Sequence, residues 1–140
     1  MRARFRRDLA QLDEVFRFVG EFFDAERIDP AERFAIDFAA EEIFTNFVKY
    51  NQGGSDAIEI ALDLRNGDLV MELVDADSDR FDVNSEAPVV DINMPLEERR
   101  SGGLGVHLVK RMMDRVDYSH EARRSTVTLH KRLGGNHAGN

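Results

Sequence analysis

Glu42-Ile43-Phe44-Thr45-Asn46-Phe47-Val48-Lys49 decides how this chain is read. It lies inside a run from Pro30 to Tyr50 whose apolar residues return every three or four positions, with Asp29 as a cap and Gly53-Gly54 as a stop. The spacing predicts an amphipathic helix. At about 100° per residue, Ile36, Ala40, Ile43, Phe47 and Tyr50 share one face, the stripe that would lie on a sheet. Glu42, Asn46 and Lys49 fall together on the flank of that stripe, within an arc of roughly 60°, which puts them at the edge of the core. A carboxylate to orient a nucleophile, an amide oxygen for a hard cation and an ammonium for phosphate make a plausible site on a rigid element. The same spacing also fits a solvated flank with a Glu42–Asn46 hydrogen bond.

Outward from this helix the chain alternates between the two periods of regular structure. Upstream, Asp8 can cap a helix in which Leu9, Leu12, Val15, Phe16, Val19, Phe22 and Phe23 recur at helical spacing. Downstream, Ala57 to Leu64 alternates Ile58, Ile60, Leu62 and Leu64 against Glu59, Ala61 and Asp63, a strand with one buried face. Asn66-Gly67 then reads as a hairpin turn, because both turn positions must accept positive φ, and Leu69 to Val74 is the returning strand. From Asp75 to Arg100 the sequence is polar and aperiodic, a loop long enough to expect function in it. A helix from Gly103 to Arg115 follows, then a last hairpin of Val116 to His120 and Thr126 to Lys131. The tail from 134 to 140 reads as disordered.

At 140 residues and 42% hydrophobic, the chain is sized for one compact domain, taken as 1–133. No stretch approaches the ~20 apolar residues that span a bilayer, and the basic N-terminus has no apolar segment behind it. These features point to a soluble cytoplasmic protein without membrane attachment. The absence of cysteine excludes disulfides and thiolate metal sites. A net charge of −8 argues against direct nucleic-acid binding and favours a basic protein partner, if charge drives association at all.

Ser101-Gly102-Gly103-Leu104-Gly105 breaks the long loop and opens directly into the apolar run Val106 to Val116. A helix start leaves backbone N–H groups unpaired, and glycines let an anion approach them, so the run suits phosphate; it also suits a hinge. Val106-His107 excludes a P-loop, which needs Lys-Ser/Thr there. A dinucleotide fingerprint is excluded too, since Leu108 stands where a third glycine is required.

Together, the segment Glu42 to Lys49 resembles the N box of the GHKL ATPase superfamily, and Gly102-Gly103-Leu104-Gly105-Val106-His107-Leu108-Val109 resembles its second glycine box. Within that superfamily the chain is most similar to bacterial anti-sigma-factor serine/threonine protein kinases of partner-switching systems, on its short length and on the run Gly103 to Asp114. The resemblance spans about Phe5 to Leu133. It implies an α+β fold, a two-layer α/β sandwich of GHKL (Bergerat) type whose mixed, mostly antiparallel sheet is covered on one face by helices. It implies ATP and Mg²⁺ as cofactors, a sigma factor and an anti-sigma-factor antagonist as partners, and a homodimer. Carried onto this sequence, Glu42 would be the catalytic base toward a substrate hydroxyl, and Asn46 would ligate Mg²⁺. Lys49 would face phosphate and Asp75 would accept from the adenine amino group. Gly103, Leu104 and Gly105 would line the phosphates at the helix start, with 77–101 as the ATP lid.

One departure stands in the acidic turn. The family carries Asp-x-Gly, and here Asp75-Ala76-Asp77 places a carboxylate at the glycine position, with Phe81-Asp82 about one residue late. That feature favours a second hypothesis: a non-catalytic partner-binding module of the same fold with impaired or absent ATP binding. Asp75, Asp77, Asp79 and Glu86 also match positions 1, 3, 5 and 12 of a calcium loop, but Arg80 replaces the required glycine and a strand precedes the loop. Histidines 107, 120, 130 and 137 lack metal-ligand spacing, and His107 reads as a surface or partner residue. Phe5, Phe16, Phe34, Phe38 and Phe44 read as core, with any exposed subset a partner surface.

Overall fold

A computed structural model of the chain describes residues 1–50, 57–76 and 105–134. Three helices and five strands follow in the order β1 (Arg2–Phe5), α1 (Leu12–Glu26), α2 (Arg33–Tyr50), β2 (Ile58–Arg65), β3 (Asp68–Asp75), α3 (Gly105–Met112), β4 (Arg115–Glu121) and β5 (Arg124–Arg132). The strands form one sheet in the order β1-β2-β3-β5-β4. All four pairings are antiparallel, so the parallel pairing expected of a mixed sheet is absent among the described residues.

Period-two alternation sorts the sheet into two faces. Ile58, Ile60 and Leu62 of β2, Leu69, Met71 and Leu73 of β3, and Val127 and Leu129 of β5 join one core with Val15, Val19, Phe22, Ile36, Ile43, Phe44 and Phe47 of the helices. The other face carries Glu59, Asp63, Glu72, Thr126 and Thr128, which is why only one face takes helices. The architecture is therefore the two-layer α/β sandwich. Val70 and Val74 are buried outside that core cluster, as befits a central strand flanked by β2 and β5.

Several boundaries differ from the sequence expectation for local reasons. Asp8 caps a single 3₁₀ turn, Leu9–Gln11, by accepting from the Ala10 N–H, and α1 begins only at Leu12. Asp29 likewise caps a 3₁₀ turn at Pro30–Glu32 before α2. Asn66 and Gly67 adopt φ of 54° and 86°, as the hairpin requires. The β4–β5 turn does the same with Ala122 (49°) and Arg123 (66°), residues for which this conformation is costly. The third helix stops at Met112 because Arg115 already opens β4, pairing with His130. Strand β1 was not legible: four residues, two of them arginines, show little alternation, and pairing along β2 forms it. Gly134, expected in a loose tail, donates its N–H to Glu32 Oε2 at 3.1 Å. The long loop, Gly53-Gly54, the calcium-like turn beyond Ala76 and the tail past Gly134 lie outside the described residues.

Candidate functional site

Helix α2 faces the core along Ile36, Ala40, Ile43 and Phe47, the stripe predicted from spacing, and Ala39 and Phe44 widen it. The widening draws the flank inward by different amounts. Lys49 is exposed, Glu42 is half-buried, and Asn46 is only 1% exposed, so the amide lies inside the core rather than at its edge. Neither Nδ2 nor Oδ1 of Asn46 has a hydrogen-bond partner, which rules out the Glu42–Asn46 bond of a plain solvated flank. An orphaned buried amide costs about 1–3 kcal/mol, and a fold that carries one calls for an explanation.

The Glu42 carboxyl is held above the ordinary glutamate value, first by burial and then by its neighbour Glu41, with Lys49 partly offsetting both. Against it stands the start of α3. A Cβ built on Gly105 would overlap Glu42 Oε1 and lie 2.5 Å from Cδ and 3.3 Å from Cγ. A side chain at this position would displace the Glu42 carboxylate. Two segments far apart in sequence thus meet: the carboxylate of α2 lies on the backbone that opens α3, where unpaired N–H groups gather. Gly103 and Leu104, the residues just before this opening, lie outside the described residues, as does Asp77.

Asp75 ends β3 fully buried, and both of its oxygens accept from one residue absent from the sequence reading. Arg7 donates from Nη2 to Oδ1 at 2.5 Å and from Nη1 to Oδ2 at 2.7 Å, and Nη1 also donates to the Phe47 carbonyl at 3.3 Å. The sheet register explains the reach. Phe5 of β1 pairs with Ile58, and Ile58 pairs with Asp75, so a side chain two residues past Phe5 arrives at the end of β3. The Arg6 carbonyl, accepting from Asp8 at 2.8 Å, fixes the turn that aims it. Ser125, the register partner of Asp75, is also fully buried, and its hydroxyl lies 2.8 Å from His120 Nδ1 and 3.4 Å from the Tyr118 hydroxyl. Nothing local marks Arg7 or Ser125; only strand pairing brings them here.

The sequence profile of the histidine kinase-like ATPase domain matches residues 5–131. The chain belongs to this family. An ATPase domain implies a nucleotide site; the structure brings Glu42 against Gly105, and Asn46 lies one turn further along α2 from Glu42. The ATPase domain is similar in fold to a chain of the SiaB-SiaC complex from Pseudomonas aeruginosa, with TM-score 0.65 and 16% identity over 93% of this chain and 88% of that one. It is also similar to the Acinetobacter baumannii histidine kinase AdeS, with TM-score 0.54 and 14% identity over 96% of this chain and 68% of that one. No curated protein sequence matches it.

The unpartnered Asn46 amide has the chemistry to hold a ligand, its oxygen a hard acceptor and its N–H₂ a donor. Among the described residues no cluster of three or more His, Asp or Glu could hold a metal. No described helix is long and apolar enough to cross a membrane. Phe5 and Phe44 are core, whereas Phe34 is 72% exposed and stacks on Phe38 with ring centroids 6.2 Å apart. His107 and Leu108 are exposed on α3.

Proposed function

We propose that this ATPase domain is an anti-sigma factor and serine/threonine protein kinase of the partner-switching kind, which binds a sigma factor and phosphorylates an anti-sigma-factor antagonist. The observation that carries the reading is the meeting of Glu42 with Gly105 beside the unpartnered amide of Asn46. ATP supplies the transferable phosphoryl group, and Mg²⁺ offsets charge on its phosphates. Asn46 Oδ1 would hold the cation. Gly103, Leu104 and Gly105 would present backbone N–H groups to phosphate oxygens, with Lys49 as a nearby cation and Asp75 at the base end. Glu42 accepts the proton of the substrate hydroxyl, and burial that raises its pKa brings it nearer the working pH of a base. The similar fold in the SiaB-SiaC complex, solved with its partner, supports a protein partner here, and the exposed Phe34 offers an apolar contact for one.

Glu42→Gln tests the assignment. Phosphoryl transfer should vanish while nucleotide affinity stays nearly intact; equal loss of both would contradict a base role. The second reading, a non-catalytic binding module, is favoured by the capture of both Asp75 oxygens by Arg7 and by Asp77 at the glycine position. Asp77→Gly separates the two, since a degraded site gains ATP affinity and a site adapted to the carboxylate loses it.

A further inference from the structure

Arg2, Arg4, Arg6 and Arg7 open the chain with no acidic side chain among them, although its net charge is −8. Two of these arginines are engaged: Arg7 is bridged to Asp75, and Arg2 Nη1 lies 2.5 Å from Glu59 Oε1. Arg4 stands opposite Glu59 in the ladder, but Arg2 already holds that carboxylate. Arg4 and Arg6 are exposed, and neither side chain has an ion-pair partner among the described residues.

Strand β1 ends the sheet and pairs with β2 alone. Met1 and Leu62 exchange both backbone hydrogen bonds, 2.8 Å from the Met1 nitrogen to the Leu62 carbonyl and 2.7 Å in return. Such pairs alternate along an antiparallel ladder, so Ala3 and Phe5 also turn their N–H and C=O toward β2, and those of Arg2 and Arg4 turn outward. Side chains alternate as well. Ala3 and Phe5 pack with the core, which leaves Arg2 and Arg4 on the face that carries no helices. The outer edge of β1 is a row of unpaired backbone groups flanked by positive charge of one sign. A second copy of this edge would set arginine against arginine, so the charge disfavours self-pairing and favours an acidic strand.

We infer that the outer edge of β1 is a docking site for an extended acidic segment of a partner protein, which joins the sheet antiparallel to β1. Its backbone pairs with Arg2 and Arg4, and acidic residues at alternate positions stand beside the two guanidinium groups. The residue between them falls on the face of Ala3, where an apolar side chain suits. Arg6, just past the strand, supplies a further cation. Strand addition needs neither nucleotide nor the Glu42 carboxylate, so it stands or falls apart from the kinase reading.

Amide NMR of the full chain, titrated with a short acetylated peptide of alternating Glu and Val, tests the site. Saturable shifts should appear at the Arg2 and Arg4 N–H groups, and both should become protected from hydrogen exchange. Affinity should fall about threefold in Arg4→Gln and about tenfold in Arg4→Glu. Arg6→Gln should cost about threefold as well, and it serves if the Arg4 variants loosen β1. The same peptide N-methylated on its Glu residues, whose N–H groups would face β1, keeps its charge but cannot pair, and should bind about tenfold or more weakly. Equal binding of the methylated peptide would reduce the edge to an attraction for anions and overturn strand addition. So would the absence of saturable shifts at millimolar peptide, or an equal response to a peptide of alternating Lys and Val. Concentration-dependent shifts of the Arg2 and Arg4 amides without peptide would give the edge to a second copy of the chain, and overturn the acidic partner.

Discussion

Gly105→Ala adds one methyl group at the point where the two halves of the site touch. The new Cβ would clash with Glu42 Oε1, and Cδ, 2.5 Å away, would have to withdraw by about 1 Å to reach the 3.4 Å of ordinary contact. The carboxylate is the far end of a flexible side chain, so it swings outward rather than unfolding the helix. Alanine at a helix start recovers about 0.5–1 kcal/mol of backbone entropy relative to glycine, which offsets part of the rearrangement. Stability should therefore stay within about 1 kcal/mol of wild type, a shift of a few degrees in Tm. A reacting group misplaced by about 1 Å loses on the order of 10²-fold in rate, so ADP release driven by antagonist phosphorylation should fall about a hundredfold. Displacement into water also relieves the burial that is the first cause of the raised Glu42 pKa, so its carboxyl ¹³C titration should move back down toward the ordinary value of 4.5. A folded variant with a rate within threefold of wild type and an unchanged Glu42 titration would refute the contact as a functional one.

Asn46→Leu removes a buried amide with no partner, so the nucleotide-free chain should gain a few degrees in Tm and lose any further rise on adding Mg²⁺-ATP; a lowered Tm, or a retained nucleotide response, contradicts the role given to the amide. Because folding raises the Glu42 pKa, the proton is bound more tightly in the native state, and that contribution is present below 4.5 and lost as pH rises through the folded value. Glu42→Gln should accordingly melt above wild type at pH 7, the difference closing as pH falls below 4.5; a constant difference across that range would contradict the burial argument. Ala122→Asn, at a position with φ of 49°, should stabilise by about 0.5–1 kcal/mol in urea titration, and destabilisation would show that the β4–β5 turn is not strained as its dihedrals suggest.

The helices, both hairpins and the α2 half of the site were legible because they rest on short-range patterns. The stripe Ile36 to Phe47, the Asn66-Gly67 turn and the caps at Asp8 and Asp29 each reflect residues within a few positions of one another. Spacing gave the direction of Asn46 but not its depth, since neighbouring Ala39 and Phe44 are apolar enough to pull the flank inward. Gly105 was identified as an opening for phosphate, whereas its close approach to Glu42 depends on how α2 and α3 lie together. Arg7 was the least legible. Its partner Asp75 is distant in sequence, and they meet only through two strand registers, β1 on β2 and β2 on β3. A basic N-terminal segment gives no sign that one of its arginines is buried.

Calorimetric titration of the full chain with Mg²⁺-ATP, in parallel with Asn46→Leu, tests the central claim most directly. The account predicts saturable binding by wild type at or below millimolar nucleotide, dependent on Mg²⁺ and lost in the variant. Absence of binding by wild type at millimolar ATP, or equal binding by both proteins, would contradict it.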